Sequence, residues 1–122
     1  MNNLIFIGTC IVIDYINGKL KLDNEMIEKY CFNSIVDMEV LNGVKNKRDL
    51  HTTNKKLNIF RSVDIDQEIL NLARTLMDRY VLSHGMKIYD AIIASTCLVY
   101  DLPLWTYNKK DFKFINELEL IK

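Results

Sequence analysis

The stretch LIFIGTCIVIDYING, residues 4–18, contains the pattern that decides the fold of this chain. Its first four residues form an unbroken apolar run with β-branched members, which is typical of a strand buried on both faces of a parallel sheet. Gly8-Thr9 then opens an apolar helix that runs through Tyr15, and Asn17-Gly18 closes it. We therefore expect a buried strand followed directly by a helix, the basic unit of an α/β protein.

The same alternation of strands and helices continues along the rest of the chain. Short apolar runs predict further strands at residues 30–32, 62–65 and 104–106, and a last edge strand at residues 118–121. Helical spacing predicts helices at residues 23–29, 34–43, 45–60, 66–85 and 88–100, with Ser34 and Asp66 as the N-caps of two of them. Along the longest helix, the residues expected to face the core are Ile69, Leu72, Ala73, Leu76, Tyr80 and Val81. The sequence thus predicts an α/β fold with a mainly parallel central sheet.

Composition limits both the size and the partners of this protein. With 122 residues, 49% of them hydrophobic, the chain is long enough for one compact core, and we expect a single domain over residues 1–122. Sixteen Lys plus Arg balance sixteen Asp plus Glu, so the net charge is +0. Any nucleic-acid contact must therefore come from a local patch.

Cysteine usage and hydropathy predict a cytoplasmic location and no membrane association. The three cysteines lack C-x-x-C spacing and lie among apolar residues, as expected for buried, reduced thiols rather than disulfides or a zinc site. Residues 4–13 are apolar, but no Lys or Arg precedes them and no small-residue cleavage site follows. The run is also shorter than the roughly 20 apolar residues that span a bilayer.

Polar residues stand where the predicted strands end and the next helices begin. They are Thr9, Asn33, Ser34, Glu39, Asp90, Asn108 and Asp111. In open α/β folds, ligands bind in the crevice at the carboxyl ends of the strands, so these carboxylates are expected to converge there. Converging carboxylates repel one another and favour a hard cation such as Mg²⁺ or Mn²⁺, which suits phosphodiester hydrolysis.

Each of these residues also has an ordinary structural interpretation. Asp90 in the first turn of a helix favours the helix dipole, and Glu39 fits a solvated helix face. Asn108 and Asp111 are common turn residues. Taken singly, none of them establishes a site.

Four segments in chain order resemble the motifs of the PIN domain and, within it, of the VapC toxins of bacterial toxin–antitoxin pairs. IFIGTCIVIDY, residues 5–15, is similar to the family's opening strand, Asp-Thr/Ser pair and apolar helix. SIVDMEVLNG, residues 34–43, resembles the second motif, in which a glutamate precedes an apolar pair and a glycine. YDAIIA, residues 89–94, matches the third. LWTYNKKDF, residues 104–112, resembles the fourth, Thr-x-Asn/Asp-x-x-Asp/Glu-Phe.

The resemblance implies a PIN-like α/β/α sandwich and an RNA endonuclease that uses Mg²⁺ or Mn²⁺ to cut tRNA, rRNA or mRNA. Such a protein is usually a homodimer and is neutralised by a cognate antitoxin, VapB-like, whose C-terminal segment fills the active site. Carried over by position, the metal ligands are Glu39, Asp90 and Asp111, Asn108 completes the acidic rim, and Thr9, Ser34 and Thr106 are supporting residues. The first helix, with Ile11, Val12 and Tyr15, and the second, with Val40 and Leu41, are candidate walls of the antitoxin groove.

Position 8 departs from the family pattern, because Gly8 stands where the family has its first catalytic aspartate. A glycine there could serve a tight strand-to-helix turn, since it tolerates conformations closed to other residues. We favour loss of a metal ligand, because the other motifs are intact. Two function classes follow: a metal-dependent ribonuclease toxin impaired by Gly8, or a catalytically inactive PIN scaffold that binds an antitoxin or RNA.

The remaining charged residues contribute less to this interpretation. His51 and His84 are expected to be surface or capping residues rather than general bases. Lys109, Lys110 and Lys113 flank the predicted site and are better placed to contact phosphates than the basic residues between positions 45 and 61.

Overall fold

The computed structural model describes residues 4–122 of the chain as an alternation of short strands and helices. The strands are β1 (Ile5–Ile7), β2 (Tyr30–Phe32), β3 (Arg61–Ser62) and β4 (Leu104–Trp105). The α-helices are α1 (Thr9–Ile16), α2 (Ser34–Leu41), α3 (Lys47–Leu57), α4 (Gln67–His84) and α5 (Ile88–Tyr100). Two short 3₁₀ helices, Ile27–Lys29 and Lys109–Asp111, precede β2 and follow β4.

The four strands form one parallel sheet in the order β3-β2-β1-β4. The predicted parallel sheet is therefore confirmed. The predicted strand at residues 118–121 is wrong in extent, because only a single bridge joins Leu120 to Leu104. All three residues of β2 are buried. Since neighbouring side chains of a strand point to opposite faces, both faces of the sheet are covered, as in an α/β/α sandwich.

The strand order reverses at β1, and this reversal positions the site. The chain adds β2 and then β3 on one side of β1, and it returns to place β4 on the other side. At such a reversal the connections leave neighbouring strands in opposite directions, which opens a crevice at their carboxyl ends. Here the crevice lies between the end of β1 and the end of β4.

Of the two predicted N-cap residues, one is confirmed and the other is wrong. The side chain of Asp66 accepts a hydrogen bond from the backbone N–H of Ile69 at 3.0 Å, which confirms this N-cap of α4. The prediction for Ser34 is wrong, because Ser34 is already the first helical residue of α2 and Asn33 is the cap. Asn33 remains extended, with φ −128° and ψ 179°, and its side chain accepts from the N–H of Val36 at 3.2 Å.

The core stripe of α4 is shorter than predicted. Ile69, Ala73 and Leu76 are buried and Tyr80 packs against the core, whereas Val81 is 43% exposed. The helix ends as predicted at Gly85, whose left-handed conformation (φ 62°) suits glycine. No helix within residues 4–122 has the length and apolar character needed to cross a membrane.

All three cysteines are free, but they are not all buried. Cys31 and Cys97 lie in the core, as predicted. Cys10 is exposed, so the prediction of a buried thiol is wrong at this position. Cys10 is the second residue of α1, and it lines the crevice at the carboxyl end of β1, as its neighbour Thr9 does.

Candidate active site

A cavity of about 230 Å³ occupies the crevice between the carboxyl ends of β1 and β4. Its polar lining comes from four separate segments: the start of α1, α2, the start of α5 and the loop after β4. The residues with polar side chains that line it are Thr9, Cys10, Glu39, Tyr89, Asp90, Thr106 and Asn108, and Gly8 lines it as well. Two carboxylates that lie far apart in the chain, Glu39 and Asp90, therefore meet in one cavity.

The carboxylate of Glu39 is held by a hydrogen bond from the neighbouring helix. Thr9 is the first residue of α1, and its hydroxyl donates to Oε1 of Glu39 at 2.7 Å. Because a bond to an ionised acceptor is stronger than one between neutral groups, this contact fixes the side chain in the cavity. Thr9 thus orients one carboxylate.

The carboxyl group of Asp90 lies in the first turn of α5 and has a raised pKa. Burial is the largest cause and, together with the nearby charges of Asp111 and Glu39, raises the pKa to about 6, against a lowering effect of Lys87. A half-buried carboxyl group beside two others of the same charge is stabilised either by a proton or by a cation.

Of the predicted site residues after β4, Thr106 and Asn108 line the cavity and Asp111 does not. The backbone N–H of Asn108 donates to the hydroxyl of Thr106 at 3.0 Å, and both residues line the cavity. Asp111 is exposed and does not line the cavity, although its charge acts on Asp90. Ser34 is exposed and is not part of the cavity lining, so the structure does not bring this predicted supporting residue to the site.

Gly8 lines the cavity in a conformation that any residue can adopt. Its φ of −76° and ψ of 171° lie in the β region, and its N–H donates to the carbonyl of Trp105 at 2.9 Å. A Cβ atom placed there would lie 3.5 Å from Thr106 and from the carbonyl of Trp105, which is ordinary van der Waals contact. Neither backbone conformation nor lack of space requires glycine at this position.

The oxygen donors of the cavity suit the divalent cation that the family resemblance implies, but they are few. Among the residues that the structure describes, no three carboxylate, imidazole or thiol groups lie together as a preformed metal site. Mg²⁺ is commonly held by one or two carboxylates, with waters and substrate phosphate completing its six ligands. Glu39 and Asp90 fit such a hydrated cation, although they do not form a closed cage.

Two further residues of the cavity were not singled out from the sequence. Tyr89 precedes Asp90 and lines the cavity at the start of α5, and Cys10 follows Thr9. Adjacency to a predicted site residue at the start of a helix was the available signal, since the first turn of a helix that opens at a strand end faces the crevice.

Known proteins that resemble this chain include relatives named as VapC ribonucleases and chains of toxin–antitoxin complexes. The PIN domain family model matches residues 5–118. Ribonuclease VapC1 of Methanocaldococcus jannaschii is 31% identical over 118 residues, covering 95% of this chain and 84% of the relative. A toxin–antitoxin complex from Klebsiella pneumoniae contains a chain that is 27% identical with a TM-score of 0.73, covering 93% of this chain and 94% of that one.

VapBC2 from Rickettsia felis, solved bound to a DNA fragment from its promoter, contains a chain with 25% identity and a TM-score of 0.77, and 97% of both chains is covered. The family match, the identity to a VapC ribonuclease over most of both chains and the parallel sheet agree with one another. The chain therefore belongs to the PIN-domain family and is a relative of the VapC ribonucleases.

Proposed function

We propose that this chain is the toxin of a toxin–antitoxin pair, an endoribonuclease that hydrolyses RNA phosphodiesters with Mg²⁺ or Mn²⁺, and that Gly8 leaves it impaired. The observation that carries the proposal is the meeting of Glu39 and Asp90 in one cavity at the reversal of strand order. A relative named as a VapC ribonuclease, similar over nearly the whole chain, supports the reaction type.

The side chains of the cavity have separate tasks in this proposal. Glu39, oriented by Thr9, and Asp90 would hold the cation, and Asp111 adds negative charge at the rim. When bound, the cation would activate a water and stabilise charge on the attacked phosphate and the leaving oxygen. Thr106 accepts from the N–H of Asn108 and thereby fixes the loop that borders the cavity.

Gly8 is expected to reduce activity because it removes one oxygen ligand. Losing a direct ligand should weaken metal binding by at least the roughly 10 to 100-fold that follows loss of a supporting residue around a metal site. The chain as it stands is therefore expected to be nearly inert.

Restoring the carboxylate tests the proposed function. Gly8→Asp should fold, because the backbone at position 8 suits any residue and a Cβ meets only ordinary contacts there. The variant is expected to gain cleavage of a broad RNA pool in the presence of Mg²⁺ or Mn²⁺, with an increase of about 10-fold or more over the parent chain. Its expression without an antitoxin should arrest growth.

The matched control is the double variant Gly8→Asp with Asp90→Asn, which keeps the new carboxylate and loses the opposite one. It should neither cleave RNA nor arrest growth. The proposal fails if folded Gly8→Asp protein leaves the RNA pool intact with both metals and its expression is harmless.

We also propose that the partner is a VapB-like antitoxin and that the protein forms a homodimer in the cytoplasm. The likeness to a chain of a toxin–antitoxin complex and to VapBC2 supports this partner. The groove expected between the first two helices needs correction, because Ile11, Val12 and Val40 are buried and belong to the core of this chain. Tyr15 and Leu41 are only partly buried and remain available for contact.

A second candidate function is a catalytically inactive PIN scaffold that acts by binding an antitoxin or RNA. One observation favours it: no third ligand group accompanies Glu39 and Asp90 among residues 4–122. Harmless expression of Gly8→Asp together with retained antitoxin binding would select this alternative.

A further inference from the structure

A second, open cleft lies beside the candidate active site. Its volume of about 610 Å³ falls within the range of roughly 300–1,000 Å³ that is typical of small-ligand sites. The residues that line it are Ser83, His84, Lys110, Asp111, Lys113 and Phe114. Asp111 connects the two sites, because it lines this cleft and its charge also acts on Asp90 in the active-site cavity.

The wall of this cleft is built from stacked rings. The imidazole of His84 lies nearly parallel to the ring of Phe114, with centroids 4.1 Å apart and 16° between the planes. Tyr80 supports Phe114 from the side, with centroids 4.8 Å apart. Phe114 covers one face of the imidazole and Tyr80 lies against it edge-on, with centroids 5.7 Å apart, yet His84 remains exposed and lines the cleft.

The rim of the same cleft is positively charged. Lys110 and Lys113 are exposed and line it, whereas the ammonium group of Lys109 donates to the backbone carbonyl of Lys122 at 3.3 Å. Two lysines outweigh the single carboxylate of Asp111. This local excess stands out in a chain whose net charge is +0.

We propose that this stacking cleft, defined by the six residues above, binds a nucleotide of the RNA that flanks the cleaved bond. The base stacks on the exposed imidazole of His84, and the adjoining phosphates contact Lys110 and Lys113. Sites for single-stranded nucleic acid combine these two features, aromatic faces for bases and cations for the backbone. The identity of the ligand as RNA rests on the proposed ribonuclease function. An acidic peptide would use the lysines but has no need of the ring face.

Binding to intact RNA tests the role of the ring. The chain with Gly8 is suited to this measurement, because it is expected to leave the RNA uncut. Affinity is measured by fluorescence anisotropy with a short single-stranded RNA of mixed sequence, and stacking by quenching of 2-aminopurine placed in the same RNA. His84→Ala should weaken binding by about five-fold or more and relieve the quenching, as expected for loss of base–aromatic stacking.

Two matched variants distinguish stacking from a general loss of structure. His84→Phe keeps an aromatic face and should retain both affinity and quenching. His51→Ala removes the other histidine of the chain, which is exposed on α3 away from the cleft lining, and should bind RNA as the parent does.

Salt dependence tests the role of the lysines. The slope of log affinity against log salt changes by about 0.7 for each phosphate contact to a single strand. Lys113→Ala should therefore lower the slope by about 0.7, whereas Lys55→Ala, an exposed lysine on α3, should leave it unchanged.

The outcomes separate this proposal from the proposed function. Normal RNA affinity and quenching in His84→Ala would overturn the stacking cleft, even if Gly8→Asp cleaves RNA. Loss of antitoxin binding in His84→Ala with unchanged RNA binding would identify a peptide site and would also overturn it. If Gly8→Asp is inactive but RNA binding depends on His84, the cleft stands and the ribonuclease function falls.

Discussion

The carboxyl group of Asp90 destabilises the folded chain whenever it is ionised without a cation nearby. Burial, followed by the charges of Asp111 and Glu39, raises its pKa from the usual 3.8 to about 6. The folded state therefore binds this proton more tightly than the unfolded state does. By linkage, the free energy of unfolding is higher when Asp90 is protonated and falls as the pH rises through about 6.

This linkage predicts a pH dependence that Asp90→Asn should abolish. In the presence of a chelator, the parent chain should lose on the order of 1 kcal/mol of stability between about pH 5 and pH 8, relative to Asp90→Asn, after allowance for the partial exposure of the carboxyl group. Urea denaturation of both proteins at the two pH values measures the difference, in which the titrating groups distant from Asp90 cancel. Parallel pH profiles for the two proteins would contradict a raised pKa at Asp90.

Position 8 shows at the same scale what a sequence can and cannot reveal. The order of the four motifs was enough to identify Gly8 as the departure from the family. Whether the backbone there requires glycine depends on φ, ψ and the distance to Thr106, which follow from packing between β1 and β4. The structure was needed to show that neither backbone conformation nor close packing explains why position 8 is glycine.

At the scale of elements, one buried side chain connects a strand, a helix start and a second helix. Asn33 follows β2, accepts from the N–H of Val36 in α2, and donates through Nδ2 to the hydroxyl of Thr96 at 2.9 Å. Thr96 lies on α5 and donates in turn to the carbonyl of Ile92 at 2.7 Å. The helix that carries Asp90 is thereby tied to the helix that carries Glu39.

Removing this connection should cost more than removing an ordinary N-cap. Asn33→Ala loses a cap and a buried hydrogen bond, so we expect a loss of about 2–3 kcal/mol in the free energy of unfolding. Asn46→Ala is the matched control, because Asn46 caps the exposed start of α3 by accepting from Asp49 at 2.8 Å, and it should lose only about 1 kcal/mol. Equal losses in urea denaturation would mean that Asn33 acts as a cap alone.

The choice of Asn33 over Ser34 explains why the cap was predicted one residue late. Both residue types cap helices well, and they are neighbours in the sequence. The partner that fixes Asn33 is Thr96, 63 residues further along the chain. No local pattern contains that contact, whereas the Asp66 cap depends only on residues within one turn and was predicted correctly.

At the scale of the whole molecule, alternation of strands and helices was predictable and strand order was not. The apolar runs and helical periods are local, so the parallel α/β class followed from them. The position of β4 beside β1 depends on pairing of Leu104 with Phe6, nearly the full length of the chain apart. That pairing brings the loop after β4, with Thr106 and Asn108, to the cavity that Glu39 and Asp90 also line.

The three cysteines differ in exposure, and only the exposed one lies at this cavity. Cys10 is exposed and lines it. Cys31 and Cys97 are buried, and burial raises the pKa of both thiols, that of Cys31 to about 11. Since the thiolate is the reactive form, the two core thiols are protected by both inaccessibility and protonation.

The last prediction uses Cys10 as a probe of what fills the active site. In the folded chain, iodoacetamide should modify one thiol, identified as Cys10 by peptide mass analysis, and all three after denaturation. If the antitoxin's C-terminal segment occupies the cavity, as the family resemblance implies, saturating antitoxin should slow modification of Cys10, whereas an unrelated protein at the same concentration should not. Cys10→Ser, which should lose the fast-reacting thiol without altering the core, verifies the assignment. An antitoxin that forms a stable complex yet leaves the alkylation rate of Cys10 unchanged would place the contact elsewhere on the molecule and would contradict occupation of this cavity.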